Sequence, residues 1–290
     1  MDDLVKGGTM GNFLNRPRAE QRLSLITFKS MQRFTLSMAI LALLLLPRTS
    51  AALQIPILVY HRFGPQATDS MTVPTDAFEA QLRQIKDAGY RVIPLRQLVY
   101  YLVAHAPPPP DRSVVITVDD GHRSVYTELL PRVRRLHMPV TLFIYPSAIS
   151  NASYAMTWAQ LAELRASGLF DIQSHTYWHP NFFRERKRLD PETYTRFVDT
   201  QLTRSKAELE QRLGERVDML AWPFGLQDAG LRARAARAGY IAAFTLERRP
   251  ARSDDDALAL PRYLITDSVS PAAFAAILRQ ADGAPADRKP

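Results

Sequence analysis

The chain has 290 residues, 46% of them hydrophobic and 23% charged, the composition of an ordinary globular protein. It contains no cysteine, which excludes disulfides, thiolate metal sites and cysteine nucleophiles. The formal net charge is +8, but the positive residues, such as Arg132, Arg134, Arg186 and Arg234, are scattered along expected helices; with no zinc-finger spacing, RNA-binding signature or P-loop, they read as solvated faces and no nucleic-acid partner is expected.

Residues 34–46 form the apolar run FTLSMAILALLLL, preceded by Lys29 and Arg33 and followed by Pro47, Thr49, Ser50, Ala51 and Ala52. The run is too short to cross a bilayer, which takes about 20 residues. It suits the core of a signal peptide with a small-residue cleavage site. Residues 1–52 are therefore expected to be an N-terminal extension and signal peptide, or an uncleaved membrane anchor tethered through 34–46; a buried helix is the alternative. Export to the periplasm or beyond follows from either of the first two. Met31 stands where an ordinary signal peptide would begin, so the true start is expected there rather than at Met1.

Residues 53–284 are expected to form one domain, with 285–290 a polar tail. Strands are expected at 55–60, 90–93, 113–118, 140–145, 169–174, 217–222, 240–245 and 262–265. Helices are expected between them at 76–88, 95–104, 124–136, 157–167, 191–213, 229–238 and 271–280. The first helix shows a single apolar face in Phe78, Leu82 and Ile85. Four prolines at 107–110 separate the second helix from the next strand. Gly89, Gly168, Gly214 and Gly239 follow helices where a C-cap belongs. Such alternation predicts an α/β fold with a parallel sheet. Seven or eight units favour a closed or nearly closed barrel, which takes about 250 residues.

The strand ends carry the chemistry. The strand at 55–60 runs into His61, the one at 113–118 into Asp119-Asp120-Gly121, and the one at 169–174 into His175, with His179 four residues on. The strand at 217–222 leads into Trp222-Pro223-Phe224-Gly225. In parallel α/β folds the C-terminal strand ends share the face that hosts the site. Taken singly, each motif has a plainer reading: Asp-Asp-Gly as a turn, His61 as a core or surface histidine, the Trp-Pro-Phe-Gly segment as aromatic packing. Two adjacent carboxylates repel, however, and a nearby cation would relieve that. His175 and His179 are spaced to share a helical face or to sit on a loop closing over a cation. Turns and core histidines have no reason to gather at one mouth.

TVDDG at 117–121, SHTYWHP at 174–180 and WPFG at 222–225 resemble the motifs of the NodB-homology polysaccharide deacetylases, carbohydrate esterase family 4. VYH at 59–61, ahead of the Asp-Asp motif, is similar to the branch that deacetylates poly-N-acetylglucosamine in biofilm matrices. The resemblance covers roughly residues 53–280. It implies a distorted (β/α)7 barrel and a divalent metal, usually zinc, held by Asp120, His175 and His179. It implies Asp119 as catalytic base, His61 as general acid and the Phe224 N–H as oxyanion donor. The substrate implied is an N-acetylated polysaccharide, with acetate and a free amine as products and no stable protein partner. Trp178, Trp222 and Phe224 are candidates to flank a sugar ring, core packing being the alternative for Trp222.

Two departures from the family pattern stand out. The arginine that many members carry two residues before the proline of the third motif is Ala221 here, and Arg262 is the candidate to supply that charge to the base. No histidine follows His179, so the family's C-terminal Leu-x-His motif is absent and the acid has to come from earlier in the chain. His61 is the best placed and His122 the reserve, while His105 and His137 look peripheral. Competing readings are an idle glycan-binding protein on the same scaffold, a deacetylase of chitin-like or peptidoglycan substrates, or a metal hydrolase of another amide.

Overall fold

The structure, a computed structural model, describes residues 53–104 and 106–281. The leader expected within 1–52, with its apolar run at 34–46, lies outside the described residues, as do His105 and the tail at 285–290. Among the described residues no helix is long and apolar enough to cross a membrane.

In chain order the strands are β1 (Gln54–Ile55), β2 (Ile57–Tyr60), β3 (Arg62–Gly64), β4 (Thr72–Pro74), β5 (Arg91–Val92) and β6 (Ser113–Asp119), then β7 (Val140–Ile144), β8 (Phe170–Ser174), β9 (Met219–Ala221), β10 (Ala242–Phe244), β11 (Ala251–Arg252) and β12 (Tyr263–Leu264). The α-helices are α1 (Thr75–Asp87), α2 (Leu95–Ala104), α3 (Leu130–Leu136), α4 (Trp158–Ala166), α5 (Phe182–Arg188), α6 (Pro191–Leu213), α7 (Ala229–Arg237) and α8 (Pro271–Ala281). Seven strands form one parallel path, β10-β9-β8-β7-β6-β2-β12, with β5 on the first residues of β6. The curled sheet is the distorted (β/α) barrel of the NodB-homology type. Its ends do not zip together as strands. The backbone of Leu260 bridges the seam instead, donating to the Ala243 carbonyl at 2.8 Å and accepting from the Thr245 N–H at 2.8 Å.

Each strand sends alternate residues to opposite faces. On β6, Val114, Ile116 and Val118 join the core that packs the helices, with Phe78, Val133, Leu161 and Leu202. Val115 joins a second core with Ile57, Phe143, Met219 and Phe244, which lines the inner face and is plugged by Leu95, Leu98 and Val99 of α2. All seven residues of β6 are buried, as expected of a central strand covered on both sides.

Local chemistry explains where the elements depart from the expected ones. Pro56 splits the strand expected at 55–60, because it has no N–H for a ladder bond. The helix expected at 124–136 starts as a π-helical turn, Val125–Leu129, and tightens to α3 only around Pro131, which cannot donate to the preceding turn. Helix α6 begins where the Asp190 carboxylate accepts from the N–H groups of Glu192 and Thr193, and ends at Gly214 with φ 69°. The β3–β4 pair, β11 and α5 are too short to show a period, and the sequence did not suggest them.

Candidate active site

The mouth of the barrel is built by the alternation just described. Counting from Val115 along β6, Thr117 and Asp119 point inward; from Ile57 along β2, so does His61. On β8, Phe170 and Ile172 face the helices, which leaves Asp171, Gln173 and His175 on the inner side. Consecutive residues of a strand cannot both face the mouth unless the strand breaks. It breaks at Asp120, whose φ of 74° is rare for a residue with a side chain. The next residue, Gly121 (φ 77°), has Ile144 and Ile149 within 3.0 and 3.1 Å of where a Cβ would stand, so a larger residue would be strained in its backbone and would have to push those side chains aside.

Asp120, His175 and His179 each offer a ligand atom, and the three atoms lie within 4.8 Å of one another. His175 Nε2 is 3.6 Å and His179 Nε2 3.9 Å from Asp120 Oδ1. Those separations are near the edge of a tetrahedron of ligands around zinc, about 3.4 Å for bonds of about 2.1 Å. The tautomer of His175 suits ligation: its Nδ1 lies 2.8 Å from the Ala221 carbonyl and has to carry the proton, which leaves the Nε2 lone pair facing Asp120. Asp120 Oδ1 is buried with no hydrogen-bond partner. A buried carboxylate oxygen facing two imidazole nitrogens is a donor set suited to a divalent cation, so the residues fit the implied metal. His175 and His179 sit on a loop after β8 rather than on a helix, and His179 itself has φ 62°. Burial and then His175 hold the His179 imidazole well below its ordinary pKa, at about 4, so it is neutral and able to ligate.

Asp119 has a different partner. Arg262 Nη1 donates to its Oδ1 at 2.8 Å and Nη2 to its Oδ2 at 2.7 Å, a bidentate pair. The guanidinium is fully buried; it also donates from Nε to the Thr245 carbonyl and from Nη1 to Thr117 Oγ1, both at 3.2 Å, and lies over the rings of Phe143 and Phe244. Burial alone would raise the Asp119 pKa, but the Arg262 charge outweighs it and holds the group at about 2. Arg262, immediately before β12, thus reaches across the intervening strand β2 to the carboxylate that lacks an arginine at position 221.

His61 is close enough to the mouth to feel the charges of Asp119 and Asp120. Burial holds its pKa below the ordinary histidine value, and those two carboxylates offset only part of that. Its Nδ1 is buried without a hydrogen-bond partner. His122 is turned to Ser124, with Nδ1 2.8 Å from Ser124 Oγ. Phe224 is 53% exposed, in a left-handed turn (φ 58°), with its ring 4.6 Å from that of His179. Trp178 is 42% exposed and packs edge-on against Phe197.

Trp222 needs correcting. As a candidate to flank a sugar it would have to be accessible, but it is 0% exposed, its Nε1 donates to the Leu258 carbonyl at 2.9 Å and its ring packs on Phe182. Alternation accounts for this: Met219 and Ala221 face inward on β9, so Trp222 turns to the helices. Tyr145 is a further residue of the mouth. It directly follows β7, the strand between β6 and β8, and its ring lies 5.6 Å from that of His179 and 6.4 Å from that of His175. The strand-end rule that picked out His61 and His175 applies to it equally.

Fold and site together define a NodB-homology barrel hydrolase with a carboxylate–bis-imidazole cluster beside an arginine-clamped second carboxylate. Comparison with known proteins agrees. The family model described as polysaccharide deacetylase matches residues 106–243, a stretch that holds Asp119, Asp120, His175, His179 and the 222–225 turn. Residues 106–243 thus carry a polysaccharide deacetylase domain, of the hydrolases that act on carbon–nitrogen bonds other than peptide bonds. It is 23% identical over 224 residues to the poly-β-1,6-N-acetyl-D-glucosamine N-deacetylase of Staphylococcus epidermidis, covering 76% of this chain and 75% of that one. Among solved structures, the deacetylase PplD of Streptococcus pyogenes superposes with a TM-score of 0.69 at 23% identity, over 79% of this chain and 99% of that one. IcaB of Ammonifex degensii gives 0.67 at 24% identity, over 79% and 97%. These structural likenesses bear on the fold.

Proposed function

We propose that the protein is an exported, metal-dependent deacetylase that removes N-acetyl groups from N-acetylglucosamine units of an exopolysaccharide of the poly-β-1,6 type. The observation that carries this is the orphaned Asp120 oxygen facing His175 and His179, with a second carboxylate, Asp119, held separately by Arg262. The substrate class is favoured by the name of the staphylococcal relative and by the VYH segment ahead of the Asp-Asp motif. Export rests on the leader composition of residues 34–46, as does a membrane tether through the same run.

Amide hydrolysis requires a deprotonated water, a stabilised oxyanion and a proton for the leaving amine. In this reading Asp120, His175 and His179 would hold a divalent cation, most simply zinc given two nitrogens and one oxygen. Such a cation would acidify a neighbouring water and polarise the acetyl carbonyl, which lets even a weak base act. Asp119 takes a proton from the attacking water. The Arg262 clamp keeps the carboxylate ionised and aimed, so that its charge is available when the proton arrives. The Phe224 N–H, presented by the left-handed turn, donates to the developing oxyanion. His61, on the other side of Asp119, gives a proton to the departing glucosamine nitrogen. Trp178 and Phe224 offer exposed aromatic surface beside the cluster for a sugar ring.

The idle glycan-binding reading drew on the missing arginine at position 221. The Arg262–Asp119 pair supports the catalytic reading over it. The decisive experiment is acetate release from β-1,6 and β-1,4 N-acetylglucosamine oligomers, with zinc and with a chelator. Metal-dependent release that prefers the β-1,6 series is expected. Chelator-insensitive release would refute the metal role, and preference for the β-1,4 series would refute the substrate assignment.

A further inference from the structure

Beside the mouth stands a pair of tyrosines that the chemistry above does not use. Tyr145 OH and Tyr154 OH are 2.6 Å apart. Tyr145 is the inner member, packed against the rings of His175 and His179. Tyr154 is the outer one and is 41% exposed. Burial first, then the bond to Tyr154 and the charge of Asp120, push the Tyr145 pKa up, so its phenol stays protonated.

Two hydroxyls that bond to each other bring two protons and use one. Either hydroxyl can donate in this pair; whichever does, one O–H proton remains, and Tyr154, the exposed member, is the one whose hydroxyl a bound chain can reach.

The loop carrying Tyr154 is fixed to the metal-ligand segment rather than hung over it. The Arg123 N–H donates to the Tyr154 carbonyl at 2.8 Å, and the Met156 N–H to the Gly121 carbonyl at 3.0 Å. His122 and Ala155 form a β-bridge between these bonds. The Tyr154 ring lies nearly parallel to the His122 ring, 8° between planes and 6.3 Å between centroids. His122 is itself held in place, its Nδ1 accepting from the Ser124 N–H at 3.1 Å. The residues that follow Asp120 therefore set the position of an exposed hydroxyl. A hydroxyl needed only for packing would require no such registration.

We propose that Tyr154, held by Tyr145, is a specificity-determining residue: its hydroxyl donates to an oxygen of the sugar unit next to the one being deacetylated, so that the site reads a polymer rather than an isolated acetyl group. The inference rests on the deacetylase reading above. A hydrogen bond between neutral partners is worth about three- to tenfold in binding.

The test compares Tyr154→Phe, which keeps the ring and the backbone staples and loses one donor, with wild type on a β-1,6 N-acetylglucosamine pentamer and on 4-nitrophenyl acetate, which has no neighbouring sugar. In Tyr154→Phe the KM for the pentamer is expected to rise about three- to tenfold, more than any fall in kcat, and the ratio of pentamer to ester kcat/KM to drop by the same factor. Metal content and melting temperature are the controls for a merely structural role. Tyr145→Phe, which frees Tyr154 from its anchor, is expected to shift the same ratio in the same direction. An unchanged pentamer KM in a metal-loaded Tyr154→Phe protein would overturn the proposal, since the hydroxyl would then meet only water. An equal loss on pentamer and ester would overturn it as well. If the metal-loaded wild type releases no acetate from the pentamer, both this inference and the deacetylase reading fall; if it does and only the Tyr154→Phe shift is missing, only this inference falls.

Discussion

Replacing Arg262 by methionine removes a charge and five donors while keeping a side chain of similar reach. In the wild type the guanidinium sits fully buried on Asp119 with two bonds of 2.8 and 2.7 Å. Its loss leaves a buried carboxylate without a counter-charge, which costs about 3–5 kcal/mol. For a domain of this size that corresponds to a fall in Tm of about 6–20 °C. The pH dependence separates this from a generic core defect. The folded Asp119 pKa, at about 2, lies below the unfolded value of about 3.9. The stabilisation is therefore fully present above about pH 5 and is lost as pH falls through 4 towards 2. In the methionine variant burial raises that pKa, so the variant gains nothing by being ionised, and the gap between the two melting curves narrows on acidification. The assay is thermal unfolding of the chelator-treated proteins from pH 3 to pH 8, followed by acetate release after zinc is restored. Turnover is expected to fall at least about a hundredfold, the lower range of general-base effects. A variant within about 2 °C of wild type at pH 7, or a gap that does not change with pH, would refute the argument. Arg262→Lys should recover only part of the loss, because an ammonium cannot donate the bidentate fork.

Other substitutions divide the site by role. His175→Ala and His179→Ala are expected to lose the metal, measured by elemental analysis, whereas Asp119→Asn keeps it and loses most turnover; metal loss in Asp119→Asn would mean that the two aspartates have exchanged roles. His61→Ala is expected to leave metal content nearly intact and to lower kcat, and a wild-type rate in that variant would remove His61 as the acid. Trp222→Ala should cost about 3–5 kcal/mol of stability through the cavity it leaves. Trp178→Ala should change melting little and instead raise the KM for oligomers; the opposite pattern would mean that the burial argument for the two tryptophans is wrong.

Much of the site was legible because strand geometry is local. A strand of period two that ends at a known point fixes which residues face the mouth, so His61, Asp119 and His175 could be grouped from apolar runs alone, and the same count, carried one residue further, turns Trp222 away. Asp120 could be suspected as a ligand from its motif. That its backbone turns over to φ 74° so that neighbouring carboxylates share one mouth is not written in any period. The resemblance to a family supplied roles for these residues, which spacing by itself left open.

What the tertiary structure decided are the contacts between segments far apart in the chain. Arg262 and Asp119 are separated by 143 positions, and no local pattern ties an arginine at the start of β12 to a carboxylate at the end of β6. They meet because β12 is laid beside β2 and β2 beside β6, so a long side chain on the inner face reaches across β2 to Asp119, while its Nε spans the seam left by the curled sheet to the Thr245 carbonyl. The Tyr145–Tyr154 pair depends in the same way on a loop stapled to the residues after Asp120. Sequence periodicity sets the direction in which a side chain leaves its own strand; what it meets there depends on how the sheet closes, and closure is a property of all the strands together.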